Sequence, residues 1–506
     1  MKGPDLGRSS LTVRCPLNQR LLLLFLALLV VAAVRLYGLA GAALPDYDSV
    51  YNWQIVREVA AGDLTHLFHQ GAPLFYLIIA PLVWLGGNFH FLQHANALLS
   101  VVAVGSLATF VGREARLSAW QTAGLALFIG TSVFLTFSGR DFTMNSGNLL
   151  VFAGLLRAYY HRLQVPSRQT LLRAAVWLML GIGFNYRFLF TVPILVAFEL
   201  LAADDLLLRR GNAWRVIAIL VAPFVVLGLV SLVAGLPLQR QWLAVYYGLI
   251  MRGEPNLAGN VGIFHLDLLY YFYFLRDFES PLVLLTLLVA PVLWRRELFQ
   301  RQQLPNLARY LAVWGYCFLA GMSLLIKAPR GLLLAYGVFY ALTFLSLRRL
   351  VSGKVLGVLV LLAVGFNVYR IEREVYSYAP TNYPKVAEWL RNQRVAKLLS
   401  TIGQGAAPFV ASMPVVVITD EKQLPALRQQ SYRYVLLDAY WRVAGVQRFE
   451  ALRRQPAVAA WPELQLTSPL LFLEHSEYTG LTYHQTLARQ QAAARDSLQL
   501  RLIRLE

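Results

Sequence analysis

Two aspartates, Asp46 and Asp48, stand directly behind the first long apolar run, in the stretch LPDYDSVYNWQIVREVAAGD. A carboxylate is the group that takes a proton from a hydroxyl nucleophile when it lies within hydrogen-bond reach. Further along, polar residues break other apolar runs: Arg140 and Asp141 in SGRDFTMNSGN, Arg187 in Asn185-Tyr186-Arg187, and Lys327 with Arg330 in IKAPRG. Arginine offers a planar fork of donors and lysine a compact charge, and both suit a phosphate. Together these residues fit displacement on a phosphate-linked substrate, with cations holding the phosphate and an aspartate deprotonating an acceptor hydroxyl. Plainer roles stand beside each one. Asp48 can be a solvated loop acid or cap the following helix, Asp141 can pair with Arg140, and a lone Arg or Lys near a bilayer surface can snorkel.

The elements that must position these groups are greasy helices. The chain has 506 residues, 57% of them hydrophobic and only 14% charged, where soluble domains average about 45–50% and roughly 25%. Repeated apolar runs of about 17–22 residues are each long enough to cross a hydrocarbon core. The chain therefore reads as a polytopic membrane protein. Its net charge of +19 would suggest nucleic acid in a soluble protein, but here basic residues concentrate in short loops, where they set topology. No nucleic-acid partner is expected. Cys15 and Cys317 lie too far apart in character and place to suggest a disulfide framework.

Keeping the basic loops Arg113–Arg116, Arg157–Arg173, Arg209–Arg215, Arg295–Arg301 and Arg348–Lys354 on the cytoplasmic side predicts about eleven spans. They fall at 21–40, 92–111, 119–137, 145–160, 171–184, 188–203, 214–234, 280–294, 308–326, 331–347 and 353–370. Residues 1–20 form a cytoplasmic tail, 21–370 a transmembrane domain with a first external loop at 41–91, and Pro73–Leu85 is too short to cross. The plasma (inner) membrane is the expected location. Residues 371–506 are polar and mixed, with a helix-like YPKVAEWLRNQ and strand-like VVVIT (415–419) and YVLLD (434–438), and predict a small extracytoplasmic α/β domain. This topology gathers Asp46, Asp48, Arg140, Asp141, Arg187, Arg240, Arg252, His265, Asp267, Lys327 and Arg330 at one face. Ionisable groups near bilayer depth usually mark function.

The acidic pair after the first span, then Arg57-Glu58, Gly62-Asp63 and His69-x-x-x-Pro73-Leu74-Phe75-Tyr76, resembles the first external loop of the C-superfamily (GT-C) membrane glycosyltransferases. The nearest branch holds the dolichyl-phosphate-mannose protein mannosyltransferases and the bacterial aminoarabinose transferase of lipid A. SGRDFTMNSGNLLVFAGLL looks like the second external loop of that superfamily, and Asn185-Tyr186-Arg187 and Lys327–Arg330 resemble its later basic turns. The likeness covers roughly residues 20–345. It implies an all-α GT-C-like helical fold and an inverting transfer of a sugar from a polyprenyl-phosphate carrier to an extracytoplasmic acceptor hydroxyl on a lipid, glycan or protein. Asp48 aligns with the catalytic aspartate, with Asp46 as the other candidate. Arg140, Asp141, Arg187, Lys327, Arg330, His69 and Tyr76 become substrate-binding candidates. Where the superfamily has Glu after that aspartate, this chain has Ser49. An inactive relative is therefore one alternative reading, and a transporter or lipid flippase another. No cofactor is required. A divalent metal held by Asp63, His66 and His69 with Asp46 or Asp48 is the lesser possibility, since such spacing arises by chance.

Overall fold

The computed structural model describes residues 17–44, 46–71, 73–201, 205–237, 241–251, 255–296, 306–410, 412–496 and 498–505. Cys15, Arg240 and Arg252 lie outside the described residues.

Each expected crossing is helical: α1 (Leu17–Leu36), α4 (Phe89–Glu114), α5 (Ala119–Gly130) with α6 (Val133–Gly139), α7 (Asn145–Gln164), α8 (Arg168–Phe184), α9 (Thr191–Leu201), α10 (Arg210–Val233), α13 (Pro281–Leu293), α14 (Leu307–Ser323), α15 (Leu333–Leu350) and α16 (Gly353–Glu374). Among the described residues, five stretches are long and apolar enough to cross a membrane: Gln19–Gly41, Phe89–Glu114, Gly211–Val233, Pro329–Leu350 and Gly353–Tyr378. A bent pair makes up to six, fewer than the expected eleven. α1 and α10 turn Leu21, Leu22, Phe25, Val225, Val226 and Leu229 outward, a pattern suited to lipid, and the chain is an integral membrane protein. α15 is the central helix, with every side chain from Leu333 to Ser346 buried.

Local chemistry sets the helix starts. Asn88 caps α4 by accepting the His90 amide at 2.7 Å, and Ser118 and Ser167 form capping boxes at α5 and α8. α7 and α8 approach closely because α7 carries glycine at the contact. A Cβ at Gly147 would lie 2.5 Å from the Phe184 ring, and one at Gly154 only 2.4 Å from Trp177. Small residues of this kind let helices pack where no hydrophobic force separates protein from lipid.

The expected span at 119–137 is not one continuous helix. α5 and α6 meet at a 68° break, and buried Glu279 explains it. Its carboxylate accepts the amides of Val133 at 3.2 Å and Phe134 at 2.9 Å, the Ser132 hydroxyl at 3.0 Å and the Tyr340 hydroxyl at 2.5 Å. A broken helix at membrane depth needs its exposed amides re-satisfied, and this acid does so.

The first loop holds α2 (Tyr47–Ala60) and α3 (Pro73–Ile79), followed by a 3-10 turn at Ala80–Trp84. Beyond α16 lies a five-stranded mixed sheet of order β2-β1-β3-β5-β4. Its strands are β1 (Leu398–Ser400), β2 (Val415–Val417), β3 (Tyr434–Leu437), β4 (Ala457–Pro462) and β5 (Gln499–Arg504). β1 runs parallel to β2 and β3, whereas β5 is antiparallel to β3 and β4. Leu398, Leu436, Leu500 and Leu502 bury one face in one cluster, and Leu399, Val435, Leu437 and Ile503 the other, as the two-residue period of a strand requires. The helix expected at YPKVAEWLRNQ is present at Tyr383–Asn392. β2 and β3 were expected from the sequence; β1, β4 and β5 were not.

Candidate active site

Asp46 precedes α2 in extended backbone (φ −146°, ψ 176°) and caps it, accepting the Ser49 amide at 2.8 Å and hydroxyl at 2.5 Å. That use takes up one of the two candidate acids. Asp48, in the first turn of α2, lines a cavity of about 90 Å³ together with Asp46, Asp141, Asn145, Arg187, Arg330, Glu474, Glu477 and Tyr478. Arg187 arrives there because the Asn185 side chain accepts the Arg187 amide at 2.9 Å and turns the chain. Its Nη1 then donates to Asn145 Oδ1 at 3.2 Å.

Arg330 lies in the short turn Pro329–Leu332 at the head of the central helix. Nη1 is 3.4 Å from Asp48 Oδ2, Nη2 donates to Glu477 Oε1 at 2.5 Å and to the Tyr478 hydroxyl at 3.2 Å, and the Arg330 amide donates to Glu474 Oε2 at 3.2 Å. Burial is the main influence raising the Asp48 carboxyl; the neighbouring Asp46 adds to it and Arg330 opposes it. Glu474 is pushed up to about 7, again by burial against the pull of Arg330. A carboxylate whose proton affinity is raised toward neutrality is a better base at physiological pH.

Ser49 links two of the acids, as its hydroxyl touches both Asp46 and Asp141. A hydroxyl has one proton to give, so one acid must carry another. Burial first, and Asp46 second, hold Asp141 well above the carboxylate range, while its Oδ1 accepts the Phe142 amide at 2.6 Å. Behind Asp46 lies His475, lowered to about 4 chiefly by burial and therefore neutral. Its Nδ1 is 2.8 Å from the Leu471 carbonyl, its Nε2 is 2.5 Å from the Tyr440 hydroxyl, and Asp46 Oδ2 lies 3.5 Å from Nε2.

The cavity thus gathers Asp46, Asp48, Asp141, Arg187 and Arg330. Four other expected members lie elsewhere. Arg140 donates through Nη1 to the carbonyls of Arg35 at 3.0 Å and Tyr37 at 2.6 Å and lies over the Tyr376 ring, fastening the end of α1. Lys327 is turned onto the carbonyls of His265 and Leu325. Desolvation lowers it to about 8. His69 packs edge-on against Tyr51 at 4.4 Å, and burial lowers it to about 4. The Tyr76 hydroxyl donates to Asn52 Oδ1 at 2.7 Å, and Asn52 reaches the Phe142 carbonyl at 3.3 Å, so Tyr76 braces the floor of the site without lining it.

Of the other expected members, Asp267 accepts the amides of Leu269 and Tyr270 at the start of helix Tyr270–Phe278. In that helix Tyr271 donates to the Ala328 carbonyl at 3.2 Å, and the Tyr270 hydroxyl is 2.8 Å from Ser476 Oγ. The aromatic run is buried bracing. As for a metal, His66 pairs with Glu58 at 2.8 Å and Asp63 accepts the Thr65 amide. Among the described residues no group of three or more His, Cys, Asp or Glu side chains is arranged to hold a metal ion.

The sequence reading missed the contribution of the C-terminal domain. Helix Pro469–Glu474 and the turn Ser476–Thr479 carry Glu474, His475, Glu477 and Tyr478 onto the cavity and its back wall. The available signal was the polar run EHSEY directly after LLFL, which has no specificity alone.

No protein-family model and no curated protein matches the chain. Among solved structures it is similar to the Archaeoglobus fulgidus oligosaccharyltransferase, in complex with zinc and sulfate, at a TM-score of 0.52 and 12% identity over 83% of this chain and 68% of that one. It is similar to ArnT from Cupriavidus metallidurans bound to undecaprenyl phosphate at 0.48 and 16% identity, over 93% of this chain and 79% of that one. The apo state of ArnT gives 0.46 and 17% over 93% and 78%. At such identities the likeness concerns fold, and the oligosaccharyltransferase carries it. The chain shares the fold of that oligosaccharyltransferase.

Proposed function

We propose that this protein is a glycosyltransferase that moves a sugar from a polyprenyl-phosphate carrier to an acceptor hydroxyl, with inversion at the anomeric carbon. The observation that carries the reading is the meeting of Asp48 with Arg187 and Arg330 around one cavity, in a fold shared with a membrane oligosaccharyltransferase. Asp48 takes the acceptor proton as the acceptor oxygen bonds to the anomeric carbon. The bond from that carbon to the phosphate oxygen breaks, and the polyprenyl phosphate leaves with its charge met by the two guanidiniums. A leaving phosphate so neutralised needs no general acid. Asp46, held in the cap and by Ser49, orients the start of α2, and Asp141 lines the same cavity where an acceptor or sugar hydroxyl would meet it. The placement of the basic loops supports a site on the extracytoplasmic side, with the plasma membrane as the proposed location.

Transfer from a radiolabelled polyprenyl-phosphate sugar in membranes, comparing the wild type with Asp48→Asn, tests this. Loss of transfer with retained expression and lipid binding is expected. Undiminished transfer by the variant removes Asp48 from the chemistry, and lipid movement without covalent change in the wild type assigns a flippase.

A further inference from the structure

Arg330 is 7% exposed, yet the structure pairs it unevenly. Nη1 faces Asp48, and Nη2 serves both Glu477 and Tyr478. Nε has no hydrogen-bond partner, with Glu474 Oε1 standing 3.8 Å away. A guanidinium presents Nε and Nη2 as a two-pronged edge that matches two oxygens of one anion. Glu477 fills one prong of that edge and leaves the other empty. A buried donor left unsatisfied is unfavourable, so a better-matched anion has something to gain here.

The position of Glu477 in its own domain permits an exchange. Glu474 belongs to helix Pro469–Glu474, whose Leu470, Leu471, Phe472 and Leu473 are all buried, and it cannot leave without unpacking that helix. Glu477 lies in the one-turn helix Ser476–Thr479, which ends at Gly480 in the left-handed region (φ +66°), and its neighbour Tyr478 is 39% exposed. Glu477 lies outside the packed helix of Glu474, and its side chain is 12% exposed against 6% for Glu474. The cavity also has five carboxyl side chains against two guanidiniums, a balance that opposes a phosphate until one acid withdraws.

We propose that Glu477 is a resident anion on Arg330, lent by the C-terminal domain, which the phosphate group of an incoming lipid displaces to occupy the Nε–Nη2 edge. This rests on the reading given under Proposed function and adds to it an exchange: the carrier phosphate takes the edge as Glu477 leaves it. The C-terminal domain then senses whether the donor site is filled.

Farnesyl phosphate, a short polyprenyl monophosphate, is the probe, with farnesol and inorganic phosphate as controls, on the full chain in detergent. Glu477→Gln, which keeps shape and removes charge, is expected to bind farnesyl phosphate about tenfold more tightly than the wild type. In the wild type, hydrogen exchange at residues 476–479 is expected to rise on adding farnesyl phosphate and to stay unchanged with farnesol, while residues 469–474 stay protected. Tyr478→Phe, which leaves the charge in place, is expected to bind like the wild type. Binding by the wild type that Glu477→Gln leaves equal or weakens overturns the displacement and leaves the glycosyltransferase reading standing. Equal displacement by inorganic phosphate at the same concentration assigns the edge to free phosphate and overturns the lipid. Absence of farnesyl phosphate binding to either protein removes both readings together.

Discussion

Asp48 Oδ2 lies 3.4 Å from Arg330 Nη1, although 282 residues separate the two in sequence. The first turn behind the first span and the head of the central helix therefore meet at one point. A base and a cation placed so close divide the work of a displacement, one facing the incoming oxygen and the other the departing one. Burial raises the carboxyl while Arg330 restrains it.

The neutral variant Asp48→Asn is expected to lower transfer by about 10²–10⁴-fold, the usual contribution of a positioned base. Asp46→Asn keeps a good helix cap and is expected to lose less. Initial rates in membranes at matched expression separate the two; an equal loss in both would contradict the assignment of the base to Asp48 alone.

Arg330→Gln leaves Asp48, Glu474 and Glu477 facing one another without their cation. Removing one partner of a buried ionic group costs about 3–5 kcal/mol, which thermal unfolding in detergent would register as a large drop in midpoint. Adding Glu474→Gln and Glu477→Gln to that variant is expected to restore much of the stability and none of the phosphate binding.

Glu279 and Arg140 are polar, buried and remote from the cavity, so their variants are expected to behave differently from those at the site. Glu279→Ala strands the amides of Val133 and Phe134 and is expected to cost about 3 kcal/mol, since hydrogen bonds to charged groups contribute about 1.5–3 each. Arg140→Gln releases the end of α1. In both, activity per folded molecule at low temperature should stay near that of the wild type; a rise in donor KM for Arg140→Gln would return that residue to the substrate.

Glu474 and Glu463 are both pushed up to about 7, chiefly by burial. Between the ordinary glutamate range near pH 4.5 and pH 7 the folded protein holds protons that the unfolded chain has lost, so stability falls as pH rises through that window and levels off above it. Denaturant unfolding of the C-terminal region at pH 5 and pH 8 is expected to show the higher stability at pH 5, and Glu474→Gln to flatten the difference. A rise in stability toward pH 8 would contradict the assignment.

Much of the membrane part was legible because apolar runs and polar breaks are local signals. Asn185-Tyr186-Arg187 announced a turn, and the turn delivers Arg187 to the cavity. The 68° break between α5 and α6 was hidden because its cause, Glu279, lies far off in sequence. Arg140 and Lys327 misled for a related reason. A cation in a membrane-edge loop looks the same whether it faces a ligand or ties down backbone carbonyls, and only tertiary structure separates the two. Strands β1 and β4 were obscured by weak patterning, since β1 has three residues and β4 is rich in alanine, whereas QLRLIR of β5 alternates as a strand does.

The acids that reach Arg330 from residues 474 and 477 sit close to the end of a 506-residue chain. This wall of the cavity therefore emerges in synthesis after α1 to α16. A truncation before residue 469 would keep α1 to α16 and leave Arg330 without the carboxylates of Glu474 and Glu477.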